Sequence, residues 1–514
     1  MWWYLLVAVV VGLGGLALYD VFQTRKAVLR NFPVIGHLRY LLEAFGPELR
    51  QYIVTNNDEE RPFSRDQRRW VYTSAKCENN YFGFGSDNDF EPPRSGTVFF
   101  KHSAFPHPPT AADHDPQHSL PAAKTLGSAH GRPHAIRPPS LVTVSGMSYG
   151  SLSGAAVEAL NRGCGLAGTW QSTGEGGLSP FHQQGGELIF QVGTAYFGVR
   201  DAEGRFELAR LVDLCQANPV RAIEIKLSQG AKPGLGGLLP GAKVTSAIAA
   251  TRGIPLGKDC ASPAFHTAFS GVDGLIEFVE TLAGATGLPV GLKSAVGDQG
   301  FWDQLAERMA ATGGGVDFVM VDGGEGGTGA APLVFSDQVA LPFRIGFPRV
   351  YRAFAEAGLN EDVFFIGAGK LGFPGAALHA LALGCDAVAV GREAMMAIGC
   401  IQAQRCHTGR CPTGVATQSP WLTRGLHPAS KAERCADYLR SLRKELLQLA
   451  HACGYSHPAE VPLHQLDVMT SAGHAVPVSE LVGYEAAWGL PSSGELQAVQ
   501  EIMVPNPTVR TTAP

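Results

Sequence analysis

Residues 363–397 read VFFIGAGKLGFPGAALHALALGCDAVAVGREAMMA and contain the same pattern twice. A short apolar run, VFFIGAG (363–369) in the first copy and DAVAVG (386–391) in the second, ends in a glycine turn where a helical stretch begins. Continuous apolar runs of this length are typical of strands that are covered on both faces, as in parallel sheets. The stretch therefore predicts two successive strand–turn–helix units.

Six further runs of the same kind precede this stretch and alternate with segments of helical spacing. They are LVTVSG (141–146), GTWQST (168–173), LIFQVG (188–193), AIEIKL (222–227), PVGLKS (289–294) and VDFVMVDG (316–323). Eight such units over about 250 residues predict an α/β fold, a closed (β/α)8 TIM barrel. A doubly wound sheet is the alternative, although such sheets rarely need eight strands. Nearly every run ends in a polar, glycine-bearing loop, and in a barrel these loops meet at the face where active sites form.

The composition narrows the possible functions. Hydrophobic residues are 45% and charged residues 17% of the 514 residues, so the chain is apolar enough to bury a large core and is not disordered as a whole. Lys and Arg number 41 against 46 Asp and Glu, and 41 − 46 = −5 argues against a nucleic-acid partner. The ten cysteines are too scattered for a secreted disulfide scaffold, which favours a reducing compartment.

The N-terminal segment predicts a membrane anchor. Residues 2–19 read WWYLLVAVVVGLGGLALY, carry no charge, and as a helix would span about 27 Å, close to the hydrocarbon thickness of a bilayer. Arg25, Lys26 and Arg30 follow directly, so the positive-inside rule predicts a single-pass protein whose residues 2–19 contact lipid and whose catalytic domain is cytoplasmic. A cleaved signal peptide and a buried soluble helix are the alternatives, although a basic n-region is missing.

Beyond the anchor, residues 32–53 predict one or two amphipathic helices with Leu38, Leu41, Leu42 and Phe45 on one side. These helices would lie on the membrane surface or pack against the main domain. We expect four regions: a transmembrane anchor (1–24), a helical and irregular region (25–135), the barrel (136–430) and a small helical C-terminal extension (431–514).

A cysteine-rich loop follows the last predicted strand. Cys400, Cys406 and Cys411 lie in GCIQAQRCHTGRCPTG, and three thiolates in one loop suit a soft metal centre. Iron–sulfur cubanes normally take four cysteines, so three would suit a cluster that lacks one iron. A zinc site that adds His407, and cysteines of purely structural role, are the alternatives.

Other residues at the strand ends have charges or backbone geometry suited to ligands. The two glycine turns place Gly367, Gly369, Gly391 and Arg392 where barrels often bind phosphate. Lys293 ends a strand and would stabilise negative charge near N1 and O2 of a reduced flavin, unless it only pairs with a carboxylate at the barrel mouth. Glu175 could act as a general acid or base or could orient other groups. The cations suited to a dicarboxylate are Lys226, Lys232 and Arg252, and the amide of Gln229 lies near them in the sequence.

Five stretches together resemble the FMN-binding synthase domain of the glutamate synthase large subunit. They are SGMSYGSLS (145–153), STGEGG (172–177), EIKLSQGAKPGLGGLLPGAKV (224–244), GGTGAAP (326–332) and CIQAQRCHTGRCPTGVATQ (400–418). The resemblance covers roughly residues 130–430. It implies a (β/α)8 barrel that holds FMN beside a [3Fe–4S] cluster on Cys400, Cys406 and Cys411. In that family 2-oxoglutarate and ammonia form an imine, which reduced FMN converts to glutamate.

The resemblance also implies roles for individual residues. Glu175, Lys226 and Arg252 would lie near the 2-oxoglutarate site and form the catalytic set. Gln191, Lys293, Gly369 and Arg392 would contact FMN. We add further residues of the strand-end loops to the predicted cofactor site: Ser145, Gly146, Met147, Ser148, Gly324, Gly367 and Gly391.

The chain also departs from the family's pattern. It begins Met-Trp-Trp instead of with a glutamine-hydrolysing domain, so we expect it to use free ammonia, another amine, a partner subunit or a different substrate. No G-x-G-x-x-G follows the first strand, which favours ferredoxin or a membrane-associated electron donor. The alternatives are an N-methylglutamate synthase-like enzyme, another FMN barrel such as a hydroxy-acid oxidase or isomerase, and a non-catalytic electron-transfer subunit.

Overall fold

The structure is a computed structural model, and it describes residues 2–23, 26–49, 54, 56–81, 83, 85–86, 95–109, 111–486 and 488–503. The chain divides into two compact units, Met1–Arg68 and Arg69–Pro514. The four regions expected from the sequence stay predictions, since this division is coarser than they are.

The first unit is helical. Its helices are α1 (Trp2–Phe22), α2 (Ala27–Asn31) and α3 (Gly36–Leu49), and α4 (Arg65–Ser74) begins within it. Among the described residues, α1 is the one helix that is long and apolar enough to cross a membrane, and its side chains are almost all exposed. The predicted span 2–19 lies within it. Of the basic residues predicted to follow the span, Arg25 lies outside the described residues.

The second unit contains the predicted barrel. The strands are β1 (Val98–Phe100), β2 (Val142–Val144), β3 (Trp170–Ser172), β4 (Glu187–Val192), β5 (Val220–Lys226), β6 (Leu238–Leu239), β7 (Cys260–Ala261), β8 (Val290–Ser294), β9 (Phe318–Asp322), β10 (Phe364–Ala368), β11 (Ala387–Val390), β12 (Leu466–Met469) and β13 (Ala475–Pro477). Eight of them form a closed parallel barrel in the order β2-β3-β4-β5-β8-β9-β10-β11, and β11 pairs back to β2. All eight sequence runs correspond to these strands, so the fold prediction is confirmed.

Helices follow the barrel strands, and their ends can be read from the sequence. Ser153 caps the first one by accepting a hydrogen bond from the Ala156 N–H at 3.1 Å, and Gly168 ends it in the left-handed conformation at φ 62°. These helices are α5 (Gly154–Ala167), α6 (Leu208–Ala217), α7 (Ser246–Arg252), α8 (Gly271–Thr286), α9 (Gly300–Thr312), α10 (Leu333–Gln338), α11 (Phe343–Glu356), α12 (Pro374–Ala382) and α13 (Arg392–Ala397).

The barrel interior is filled by side chains that alternate along the strands. Large apolar residues such as Trp170, Phe318 and Phe364 pack together near the strand N-termini. Ala122 and Leu126 pack into the same cluster, and they belong to residues 102–140, a stretch rich in Pro and His before the barrel. That stretch therefore closes the N-terminal end of the barrel, while the C-terminal end stays open to its loops.

The C-terminal part contains more than the expected helices. Its helices are α14 (Pro420–Thr423), α15 (Pro428–Ala452), α16 (Val478–Val482) and α17 (Ser493–Met503), and α15 packs along α5. Strand β12 pairs antiparallel with both β1 and β13, so that Val98 lies opposite Val468. A small antiparallel sheet thus joins segments from before and after the barrel.

Candidate active site

A cavity of about 570 Å³ opens among the loops at the C-terminal ends of the barrel strands. It lies where an active site was expected, and its volume is within the usual range for cofactor and substrate sites. The cavity is lined by more than half of the predicted site residues, namely Gly146, Met147, Ser148, Glu175, Gln191, Lys226, Arg252, Arg392 and Cys406.

The remaining predicted residues lie around this cavity without lining it. Gly369 follows β10 with φ 117°, and a Cβ there would lie 3.1 Å from the Gly323 nitrogen. Gly391 is the N-cap of α13, and the Gly324 N–H donates to the Leu341 carbonyl at 2.9 Å. Gly367 lies inside β10 and faces Phe343, Leu371 and Cys385. Its side of the strand points away from the cavity, so the phosphate assignment is least supported at Gly367.

Beneath the cavity, the inward-facing residues form a polar layer, which we define as Ser145, Gln191, Glu224, Lys293 and Asp322. Lys293 Nζ lies 3.5 Å from Asp322 Oδ2 and 3.4 Å from Ser145 Oγ. Gln191 Nε2 donates to Glu224 Oε1, whereas Glu224 Oε2 is buried with no hydrogen-bond partner among the described residues.

The ammonium of Lys293 is stabilised by two acids of this polar layer. Burial alone would lower the pKa of Lys293, but the carboxylates of Asp322 and Glu224 raise it above its usual value. Burial raises the pKa of Glu224, an effect that Lys293 only partly opposes. Lys293 is therefore a protonated ammonium at neutral pH, as the predicted role beside a reduced flavin requires.

The predicted catalytic glutamate lies against two lysines. Lys226 Nζ is 3.0 Å from Glu175 Oε2 and donates to Gln229 Oε1 at 2.6 Å, while Lys232 Nζ is 3.9 Å from Glu175 Oε1. Burial would raise the pKa of Glu175, but the two ammonium groups lower it to about 2. Burial lowers the pKa of Lys232. Glu175 is thus a carboxylate throughout the physiological pH range.

Arg252 reaches the same cavity from α7. Its Nη2 donates to the Tyr149 carbonyl at 3.1 Å, its Nη1 lies 3.7 Å from Cys260 Sγ, and its guanidinium lies 5.1 Å from the centroid of the Phe197 ring. Its buried Nε has no hydrogen-bond partner among the described residues. With Lys226 and Lys232 nearby, the cavity wall carries more positive than negative charge, which suits an anionic ligand with two carboxylates.

The cysteine loop borders the cavity. Cys406 lines it, Cys411 is buried, and the Cys400 carbonyl accepts a hydrogen bond from the Tyr72 hydroxyl at 3.0 Å. Burial, together with the neighbouring thiols of Cys406 and Cys411, raises the pKa of Cys400 to about 12. Within the described part of the chain, no group of three or more His, Cys, Asp or Glu side chains is arranged to hold a single metal ion. Three thiols gathered in one loop nevertheless have the donor chemistry that an iron–sulfur cluster needs.

The residues above the polar layer fit a flat cofactor. A Cβ at Gly146 would lie 2.9 Å from Gln191 Nε2, and one at Gly174, where φ is 69°, would lie 2.6 Å from the Ser148 nitrogen. Backbone can approach this closely only where side chains are missing. Gly146 and Gln191 line the cavity, and beneath them one oxygen of the buried Glu224 has no hydrogen-bond partner among the described residues.

Three functional residues were not singled out from the sequence. Lys243 lines the cavity and donates from Nζ to the Cys406 carbonyl at 2.9 Å, so it joins the cavity to the cysteine loop. Glu224 and Asp322 belong to the polar layer. The sequence contains a sign of each residue. Lys243 lies in the stretch 224–244 that resembles the synthase domain. Each of the two acids interrupts an apolar strand at a position whose side chain faces the barrel interior.

The loops around the site leave no room for a side chain at Gly230, which gives a direct test of the geometry. A Cβ at this position would lie 1.8 Å from the Gly323 carbonyl oxygen, while the Gly230 N–H donates to Asp322 Oδ2 at 3.1 Å. We expect Gly230→Ala to lower the unfolding free energy by about 1–3 kcal/mol, as overpacking does, and to displace Asp322. Gly297→Ala is the matched control, because nothing lies within 4 Å of its Cβ position. Equal urea midpoints for the two variants would contradict the geometry.

Comparisons with known proteins find related sequences. The family model described as a conserved region in glutamate synthase matches residues 127–456. The chain is 36% identical over 495 residues to the glutamate synthase large subunit-like protein YerD of Bacillus subtilis (strain 168), which covers 90% of this chain and 94% of that protein. It is 37% identical over 316 residues to the archaeal glutamate synthase (NADPH) of Methanocaldococcus jannaschii, which covers 61% of this chain and 59% of that protein.

Solved structures also match the chain, with TM-scores below 0.5. A variant of flavocytochrome b2 with sulfite bound matches with a TM-score of 0.44 and 15% identity, covering 91% of this chain and 95% of that chain. A mandelate oxidase with (S)-2-phenylpropionate matches with a TM-score of 0.41 and 16% identity, covering 72% of this chain and 86% of that chain.

Proposed function

This chain belongs to the glutamate synthase family, and from that premise we propose that it is an oxidoreductase dependent on FMN and a [3Fe–4S] cluster. It reductively aminates 2-oxoglutarate, or a related 2-oxo acid, to glutamate with ammonia or another amine. The electrons come from an external donor such as ferredoxin. The observation that carries the proposal is the cavity at the barrel mouth, whose wall has more positive than negative charge and where Glu175, Lys226 and Arg252 face the same space that Cys406 borders.

The chain's own residues account for substrate binding. The ammonium of Lys226 and the guanidinium of Arg252 bind the two carboxylates of the keto acid. Because the pKa of Glu175 is about 2, this carboxylate is a weak proton acceptor, and it acts by its charge. It lies 3.0 Å from the Lys226 ammonium and holds it in place at the cavity wall.

The cofactor residues surround the same cavity. FMN would be held by Gly146, Met147, Ser148 and Gln191, with the Lys293 ammonium as a positive charge for the reduced flavin, and the cluster would be held by Cys400, Cys406 and Cys411. When bound, FMN supplies hydride to the imine carbon and the cluster relays single electrons to it. Arg392 reaches the cavity from the start of α13 and would neutralise a phosphate.

We also propose that α1 anchors the protein in a membrane as a single span, with the barrel on the cytoplasmic side. This helix has 21 residues, about 31 Å at 1.5 Å per residue, which matches the hydrocarbon thickness. Lys26 and Arg30 follow it, in agreement with the positive-inside rule.

The test uses the full chain, purified without oxygen in detergent. We expect stoichiometric FMN, iron and acid-labile sulfide, and we expect dithionite-reduced flavin to be reoxidised at 450 nm when 2-oxoglutarate and ammonium are added together. Neither substrate alone should reoxidise it. A flavin that stays reduced with both substrates present would contradict glutamate synthesis, and reoxidation by a 2-hydroxy or other 2-oxo acid alone would favour a different FMN-barrel reaction.

A cysteine exchange separates the role of the cluster from that of the flavin. We expect Cys406→Ser to lose iron and to reduce turnover with an external donor at least about 100-fold, while FMN is retained, since metal-ligand loss acts directly on electron transfer. Cys215→Ser, on α6 and outside the loop, is the matched control and should keep both cofactors. Full iron content in the Cys406 variant would contradict its assignment as a ligand.

A further inference from the structure

Helix α3 carries an apolar stripe that no described residue of the first unit covers. Its members are spaced at i, i+3, i+4, i+7 and i+11, the pattern of one helix face, and each is between 41% and 58% exposed; they are Leu38, Leu41, Leu42, Phe45 and Leu49. A stripe this regular is not a scatter of single surface residues, and its exposure calls for a partner.

The other side of α3 is already used within the first unit. His37 Nε2 lies 2.9 Å from the buried Asp20 carboxylate near the end of α1, and Lys26 Nζ lies 4.2 Å from the centroid of the Tyr40 ring. A Cβ at Gly36 would lie 3.0 Å from Leu29 Cδ2 of α2. These contacts fix which side of α3 faces inward, and they leave the apolar stripe on the outer side.

The position of α3 along the chain indicates what covers the stripe. Asp20 is the first charged residue after the apolar run of α1, so it marks the level at which that helix leaves the hydrocarbon. The same carboxylate accepts the Val34 N–H at 2.8 Å and the His37 ring, which brings the start of α3 to that level. The stripe therefore begins at the membrane surface.

We propose that α3 lies flat in the headgroup region of the membrane that α1 crosses, with its apolar stripe directed toward the acyl chains of the phospholipids. This rests on the proposed membrane anchor. A 14-residue helix is about 21 Å long, and a sharp division between an apolar stripe and a charged flank is typical of interfacial helices. Arg39, beside the stripe, and Arg30, before it, are placed to reach lipid phosphates.

Site-specific photocrosslinking in the full-length protein tests the proposal. Phe45→p-benzoylphenylalanine and Leu42→p-benzoylphenylalanine place the photoreactive group on the stripe, and Glu43→p-benzoylphenylalanine places it on the charged flank of the same helix. A fourth variant, Leu6→p-benzoylphenylalanine, reports on the anchor itself. Each is reconstituted into vesicles of equal parts phosphatidylcholine and phosphatidylglycerol, irradiated, and analysed by mass spectrometry for lipid adducts.

We expect roughly five-fold more lipid adduct from positions 42 and 45 than from position 43, because only the stripe reaches the acyl chains. Adducts at position 6 with none at 42 and 45 would overturn the surface helix and leave the anchor standing. Crosslinks from 42 and 45 to peptides of the barrel, or to a second copy of the chain, would likewise overturn it. No lipid adduct at any position would overturn the anchor and the surface helix together, without bearing on the catalytic proposal.

Discussion

Replacing Lys293 by methionine is expected to lower the unfolding free energy by about 3–5 kcal/mol, because it leaves buried carboxylates without their cation. Lys293 is buried, and its Nζ lies 3.5 Å from Asp322 Oδ2. Its pKa in the folded protein lies above the usual 10.5, so its contribution is fully present below pH 10.5 and is lost only as the pH rises through the folded value. The whole effect should therefore be seen at pH 7.5, by urea denaturation followed by tryptophan fluorescence.

A second exchange shows whether the effect arises from charge. Burial raises the pKa of Glu224. The folded protein therefore loses stability through this group as the pH rises from 4.5 through the folded pKa of Glu224. Glu224→Gln is then expected to be neutral or slightly stabilising at pH 7.5. The double variant Lys293→Met/Glu224→Gln should recover part of the loss, since one fewer carboxylate is left unpaired. If the Lys293 variant unfolds within about 1 kcal/mol of the original protein, the polar layer is not held together by this ammonium.

The barrel could be predicted because its strands leave a strong local signal. A strand that is covered on both faces must be apolar along its whole length. The loop that follows it reverses the chain and faces the ligand site, and both tasks favour glycine and polar residues. The prediction places DAVAVG at 386–391, and the strand is Ala387–Val390. The resemblance to the synthase domain, and not this local signal, assigned Glu175, Lys226 and Arg252 to one site, and the structure gathers them around one cavity.

Long-range pairings could not be predicted, because they leave no periodic trace. Strand β1 has three residues and pairs with β12, so that Phe100 lies opposite Leu466. Such short strands are set by their partner and not by their own sequence. Residues 102–140 are rich in Pro and His, and their sequence predicts only a loop or an extended wrap. In the structure they supply Lys124 and Arg132 to buried ion pairs, and His130 to a contact with Asp317, at the N-terminal end of the barrel.

We also expect a single substitution at the N-terminal end of the barrel, among these ion pairs, to lower the unfolding free energy strongly. Asp317 precedes β9, is buried, and accepts hydrogen bonds from the Val290 N–H at 2.7 Å and from Arg132 Nε at 3.0 Å. His130 Nδ1 lies 2.8 Å from the same carboxylate. Asp317→Ala is expected to lower the unfolding free energy by about 3–5 kcal/mol, since it leaves the Val290 N–H and the guanidinium of Arg132 without this partner.

The matched control is a substitution of Glu280, the other carboxylate that binds Arg132. Glu280 binds this guanidinium through two contacts of 2.7 Å, but its side chain is 39% exposed, so Glu280→Ala is expected to cost about 1 kcal/mol or less. Because this end of a barrel is typically structural, the folded fraction of both variants should keep its flavin content and its turnover per flavin. Equal urea midpoints for the two variants would show that the loss of stability does not depend on burial of the Asp317 carboxylate. A folded Asp317 variant that lost flavin would show instead that this end of the barrel is coupled to the active face.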